Sequence, residues 1–434
     1  MAAHMGETYR FKKFGGDKMA LLGLFVLALL TARLVVGLKS AVSLSEPIEL
    51  PCEELSVSMP SGNGWHSEEQ WEFRENTFAV RSLFALRSGK PTAQAHCRYL
   101  LAAEPASHKV RFEQRASEID GAVVKAGQIQ VASLTINWAH IERSDIFLDV
   151  FFGTTALPGD RQLDIELRQI AGNADLAEGT FKRIVASLDF RENRRLEAGA
   201  QIINELKSHG LDNQGGRNFY WIKDSKGQPI GFTADGPIDS DTDTQWNIQT
   251  AGLAYIRGPD AREERTVFQC SRDLEEFDYR SRTSSRAGRT ITELARDKAG
   301  IMTARKSGAR PEEERYRLGR AAIPDVLLDR VLRQVLEGSR KEILVDVIEA
   351  DGTITPTFVS QIEAAKDAAY VFELKFLDGR GFSEQVFLNE QRQIDGAVLQ
   401  QEATYRVERT TVESVARAFP EYAQHLLQNP QTLN

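Results

Sequence analysis

Cysteine is scarce in this chain of 434 residues: Cys52, Cys97 and Cys270 are the only three. None belongs to a C-x-x-C pair, which argues against a cysteine-ligated zinc and a thioredoxin-type redox centre. The seven histidines are scattered, with no H-E-x-x-H or other helical ligand spacing. G-x-S-x-G, a Ser/Lys motif and a Cys with a placed His signature are all missing. The sequence therefore predicts no catalytic, cofactor-binding or metal residue and a protein that is not an enzyme. A hydrolase with dispersed catalytic residues stays as an alternative. Positive charge is also in deficit, at a net −8. That argues against general affinity for nucleic acid, which is a polyanion.

Long apolar runs are rare too, and one stands out, from Met19 to Leu38. A spanning helix needs about 20 mostly apolar residues, a signal-peptide core about 7–15. Arg33 interrupts the run near its far end, where its side chain can snorkel to headgroups. Arg10, Lys12, Lys13 and Lys18 precede the run, and after Lys39 no Lys or Arg occurs until Arg74. The positive-inside rule then predicts a single-pass signal-anchor in the cytoplasmic membrane: residues 1–18 as a cytoplasmic leader, 19–38 as a transmembrane helix in the bilayer, and the bulk of the chain extracytoplasmic or periplasmic. Cleavage after Ser43, behind the small residues of "SAVS", is the alternative.

What is present is the composition of a globular protein, 41% hydrophobic and 27% charged. Its length suits two domains and an appendage. Over residues 44–190 the text mixes strand and helix patterns. Leu55–Pro60, Phe78–Leu86, Cys97–Ala103, Ile129–Glu142, Asp145–Thr154 and Arg161–Gln169 read as strands, rich in β-branched and aromatic residues. His108–Val124 reads as a helix, as does the stretch after Asn173, with Phe181, Ile184 and Leu188 on one face. "GTTALPGD" lacks the Gly-Lys-Ser/Thr ending of a phosphate loop and reads as a turn between strands. Cys52 and Cys97 fall in this unit, either as a disulfide of an exported protein or as free, buried thiols.

The "MPSGNGW" after a strand, the pair around "DVFFGTTALPGDRQLDIELRQI" and the closing "FKRIVASLDF" resemble the PsbP-like α/β fold. The resemblance covers about a third of the chain and implies a non-enzymatic accessory or envelope role. It brings no functional residues.

Residues 191–214 read as a charged helical linker. From 215 to 434 the period changes to long alternating strands, which suit an antiparallel sheet with one wet face. A helix interrupts from Pro324 to Glu337, with paired apolar residues at Leu327/Leu328, Val331/Leu332 and Val335/Leu336. This order of elements resembles the LolA-like half-barrel. The fold class expected is thus α+β: a transmembrane helix, a PsbP-like α/β sandwich, then a long antiparallel sheet packed on helices. The two units are expected to fold separately.

Two local features invite chemistry. Asp239, Asp241 and Asp243 alternate as calcium ligands do, but Thr244 and Thr250 stand where a calcium loop needs Gly and Glu. They read as a calcium site or a solvated turn. Between Arg280 and Arg310 lies a net charge of +7, suited to headgroups or an acidic partner, or to a self-neutralised solvent face. The expected function is a membrane-anchored binding or scaffolding protein with a protein partner and no cofactor, in an envelope assembly. The alternative outside enzymes is a carrier or sensor for an apolar ligand in the C-terminal domain.

Overall fold

The computed structural model describes residues 42–85, 92–104, 106–170, 172–211, 216–238, 246–258, 261–307, 311–338, 340–364, 368–400 and 404–422. Asp239, Asp241 and Asp243 lie outside the described residues, as does the run from Met19 to Leu38.

The N-terminal lobe is built on a sheet of eight strands: β1 (Trp65–Ser67), β2 (Glu72–Arg74), β3 (Thr77–Phe84), β4 (Ala93–Leu100), β5 (Ala122–Val131), β6 (Leu134–Arg143), β7 (Leu148–Leu157) and β8 (Arg161–Ile170). They pair in the order β1-β3-β4-β8-β7-β6-β5, with β2 beside β3. Two helices cover opposite faces. In α1 (His108–Glu118), Phe112 and Ala116 pack on Ala139, Ile141 and Phe152. In α2 (Ala174–Ala186), Phe181 meets Trp138 and Phe151. Neighbouring Phe151 and Phe152 point to opposite sides of the pleat, and each side has its own helix.

The expected PsbP-like α/β sandwich is corrected by these strands. The helix predicted through Val124 stops at Glu118, because Asp120 turns left-handed at φ 53° and the β-branched Val123 and Val124 enter β5. The single strand predicted over Ile129–Glu142 is two, folded back at Ala132, φ 48°. Helix text becomes strand, and the lobe is mostly β.

The second sheet has 15 strands. In chain order they are β9 (Asn218–Lys223), β10 (Pro229–Pro237), β11 (Ile248–Ile256), β12 (Arg262–Cys270), β13 (Phe277–Ser285), β14 (Gly288–Arg296), β15 (Ile301–Ser307), β16 (Glu312–Arg317), β17 (Ala322–Pro324), β18 (Glu342–Ile348), β19 (Ile354–Ile362), β20 (Tyr370–Phe376), β21 (Ser383–Leu388), β22 (Ile394–Gln400) and β23 (Thr404–Arg409). The spatial order runs from β16 back to β9, crosses to β23, and runs back again to β17. Every pairing is antiparallel except β17 with β18. The two edges, β16 and β17, are joined by only the four residues 318–321, so the sheet curls back on itself. Gly352, in the β18–β19 turn, reaches the side chains of Leu294 and Ala304 on β14 and β15. The sheet is therefore barrel-like.

The helix predicted from Pro324 is present as a single 3-10 turn followed by α4 (Leu328–Glu337). Val331, Leu332 and Val335 are fully buried, so its apolar stripe is core. Beside it, α3 (Arg194–His209) lies along the part of β18 that the short β17 leaves uncovered. The approach is close: a Cβ on Gly199 would stand 2.1 Å from the Leu344 carbonyl oxygen. On the other side of the sheet, α5 (Val412–Ala418) and Phe419 cover Phe219, Phe232 and Leu253. One apolar core runs without a break from Ile48 in the N-terminal lobe to Ala397 in the large sheet.

The predicted membrane anchor, and the extracytoplasmic placement that rests on it, find no support among the described residues. Among the described residues no helix is long and apolar enough to cross a membrane. The longest, α3, has 16 residues and carries charge on its open face, where about 20 apolar residues are needed.

Candidate functional site

Where the two lobes meet, "LPGDR" turns the chain from β7 to β8, with Gly159 at φ 80° and Asp160 at φ 63°. The turn delivers Arg161 into the junction, only 1% exposed. Its Nη1 donates to Glu54 at 2.9 Å and to the Tyr99 hydroxyl at 2.6 Å. Its Nη2 donates to both oxygens of Asp346, on β18. Tyr99 in turn donates to the second oxygen of Glu54. Burial opposes the charge on Arg161, but Asp346, Tyr99 and Glu54 outweigh it and hold the guanidinium protonated, its pKa well above the ordinary value. Burial likewise pushes the Tyr99 hydroxyl and the Cys52 thiol beside it upward, leaving both neutral.

Glu54 and Asp346 also form part of the wall of a cavity of about 260 Å³. Its other walls include Pro158, Phe190, Leu196 and Ala200, with Glu192, Glu197 and Arg320 contributing charge. Arg320 is engaged by Asp160 at 3.7 Å. A polar groove past Glu53, Ser56 and Arg191 adjoins the cavity, sharing Glu54, Glu192 and Asn193. Asn193 caps α3, accepting from the amides of Arg195 and Leu196.

A second feature lies at the far edge of the N-terminal sheet. Among the described residues β5 pairs with β6 alone, so its outer row of backbone groups is open. Ala122 to Gln128 are all exposed. Its single charge, Lys125, is held by Glu178 at 2.9 Å. In the β6–β7 connection, at the same end of the sheet as the start of β5, Phe147 closes the 3-10 turn Ser144–Ile146 in the left-handed region, φ 52°, and is 72% exposed. Among the described residues every exposed large hydrophobic side chain falls between Leu83 and Leu176, and none on the large sheet.

The residues singled out in the sequence sit apart from both features, except Cys52. Cys52, Cys97 and Cys270 are free and buried. The arginine stretch spreads over β13 to β15. Arg280 stands opposite Glu293 in register, Arg305 pairs with Glu313 at 3.0 Å, and Arg296 donates inward to the Leu274 carbonyl. Among the described residues no three His, Cys, Asp or Glu gather as metal ligands do. Sequence reasoning missed Arg161, Glu54 and Asp346, whose types and positions are unremarkable until the lobes are packed. The edge strand had a signal in "AVV", spent on extending a helix.

No family model and no curated relative matches the chain. Among solved structures it is similar to a beta-barrel-like protein of domain of unknown function DUF1849 from Brucella abortus, at 11% identity and a TM-score of 0.34 over 45% of this chain and 95% of that one. It is also similar to a protein from Bacteroides thetaiotaomicron, at 13% identity and a TM-score of 0.22 over 38% of this chain and 60% of that one. Neither PsbP-like nor LolA-like proteins are among these. The barrel-like form of the large sheet follows from its own strand order.

Proposed function

We propose that the protein is a non-enzymatic binding and scaffolding protein that docks an extended segment of a protein partner along the open edge of β5. The observation that supports this reading is the combination of a ten-residue edge that no second strand pairs among the described residues with an exposed, left-handed Phe147 at the same end of the sheet. Edge strands in stable proteins are blunted by charge, proline or cover. β5 has no proline, and its one lysine is already engaged. Strand addition supplies backbone hydrogen bonds to such an edge, and apolar side chains beside it give the added strand grip. The carrier alternative asks for an open apolar groove beside α4, and that stripe is packed.

The test is site-specific photocrosslinking of the full chain in its native cells, with a photoreactive phenylalanine at Val124, Gln128 or Phe147. Discrete adducts that disappear when Ala126→Pro disrupts the edge support the reading. Absence of adducts at all three positions, or adducts indifferent to Ala126→Pro, overturns it. Adducts made only with a second copy replace the foreign partner by self-association.

A further inference from the structure

The rim of the N-terminal sheet carries an inference separate from docking at β5. Register brings the ends of five strands to one rim. Phe84 of β3 lies opposite Ala93 of β4, and Ala93 opposite Gln169 of β8. Leu148 of β7 lies opposite both Ile170 of β8 and Arg143 of β6. Along this rim Leu83, Ile146 and Ile170 are exposed, and so is Leu176 in the first turn of α2, just past β8. Contiguous exposed apolar surface marks a place that another element covers.

The first described residues come to the same rim. Ser43 lies opposite Ser61, Gly62 bridges Trp65, and Trp65 of β1 lies opposite Phe84. The Val42 carbonyl accepts from Arg183 of α2. Followed backwards from Ser45, which donates to the Met59 carbonyl, the chain heads toward Gly62 and out over the rim. The apolar run Met19–Leu38 ends four residues before Val42, at most about 14 Å away. Arg33 is its one charge. From β3 to β6 the rim spans about 19 Å at the usual strand spacing. Twenty residues wound as a helix, as the sequence predicts for this run, measure about 30 Å, enough to cross it.

We propose that Met19–Leu38 of the same chain docks across this rim and covers Leu83, Ile170, Leu176 and Ile146. Burial of these side chains against the run is the driving force. The short link to Val42 holds the run there at an effective concentration on the order of millimolar, which a second copy or a foreign segment has to outcompete. The backbone row of β5 and the Phe147 ring stay open to the partner.

The experiment places a photoreactive phenylalanine at Leu83 or at Ile170 of the full chain in its native cells and maps the adducts by mass spectrometry. Adducts joining the probe to residues 19–38 within one chain, at the monomer mass on a denaturing gel, are the expected result. They should fall by about tenfold when Leu27→Asp and Leu30→Asp put two charges into the run, because a charge buried without a partner is costly. Both positions precede the described lobes, and a thermal melt checks that the lobes keep their fold. Adducts at the dimer mass, adducts to another protein or to lipid, or no adducts at either position overturn the proposal. So do adducts indifferent to the double variant. A loss of crosslinks at Val124, Gln128 and Phe147 leaves it standing, since the two sites share no residue.

Discussion

Arg161 and Asp346 are 185 residues apart in sequence, and one guanidinium nitrogen of the first donates to both carboxylate oxygens of the second, at 2.8 and 2.9 Å. The pair fastens the N-terminal lobe to the large sheet from inside the shared core. Arg161→Met leaves Glu54 and Asp346 buried without their cation, and is expected to cost about 3–5 kcal/mol. Urea denaturation measures it. Arg161→Met with Asp346→Asn should cost less than the two changes summed, and full additivity would remove the coupling.

The sequence reading expects the stretch from about Leu44 to Arg194 to fold alone. The core running from Ile48 to Ala397 and the Arg161–Asp346 pair predict instead one calorimetric transition for the whole chain. The isolated stretch should melt well below it, or without cooperativity. Two separated transitions in the intact chain would restore independent units.

Gly199→Ala should be destabilising although alanine is the better helix former by about 1 kcal/mol. The new Cβ meets the Leu344 carbonyl at 2.1 Å, and α3 has to leave β18 to make room. A rise in melting temperature would show that the helix is free to shift. Leu332→Ala, on α4, is expected to lose about 2–4 kcal/mol through the cavity it opens.

Phe147→Gly should raise stability by about 1 kcal/mol, because glycine adopts the left-handed conformation without the steric penalty and the ring is already in water. The same variant should lose the crosslinks at β5. Equal loss of stability and crosslinks would make Phe147 a packing residue.

Asp325 accepts from the Tyr279 hydroxyl and the Val326 amide, and burial pushes its carboxyl up to about 7. Its unfolded value is about 3.9, so between about pH 4 and 7 the folded chain holds a proton that the unfolded chain has released. Stability falls as pH rises through that window. Asp325→Asn keeps the acceptor and removes the titration. It should be more stable than the parent at pH 8 and equal to it near pH 4, read from melts across the range.

Much of the large sheet was legible because its signals are local. Hairpin turns such as "DSKGQ" stand between alternating segments, and the apolar pairs of α4 predict a buried stripe that the fold supplies. The N-terminal lobe was harder. His108–Val124 has helical text almost to its end, and only the left-handed Asp120 divides helix from edge strand. The junction was not legible at all. Glu54, Tyr99, Arg161 and Asp346 are polar residues in ordinary strand or turn text, and their common purpose exists only once elements nearly 300 residues apart have packed.

The order of the large sheet bears on how fast the chain reaches its native state. From β9 to β16, and again from β18 to β23, each strand pairs with its sequence neighbour, so these ladders close over short loops. The exception is the seam of β9 with β23, where Tyr220 lies opposite Arg409. Loop closure over such a span is the costly step of a nonlocal topology. The two meanders can therefore zip early and independently, and the seam sets the folding rate. Changes at the Lys223–Glu408 ion pair across it should slow refolding, while changes in the outlying hairpins should mainly speed unfolding.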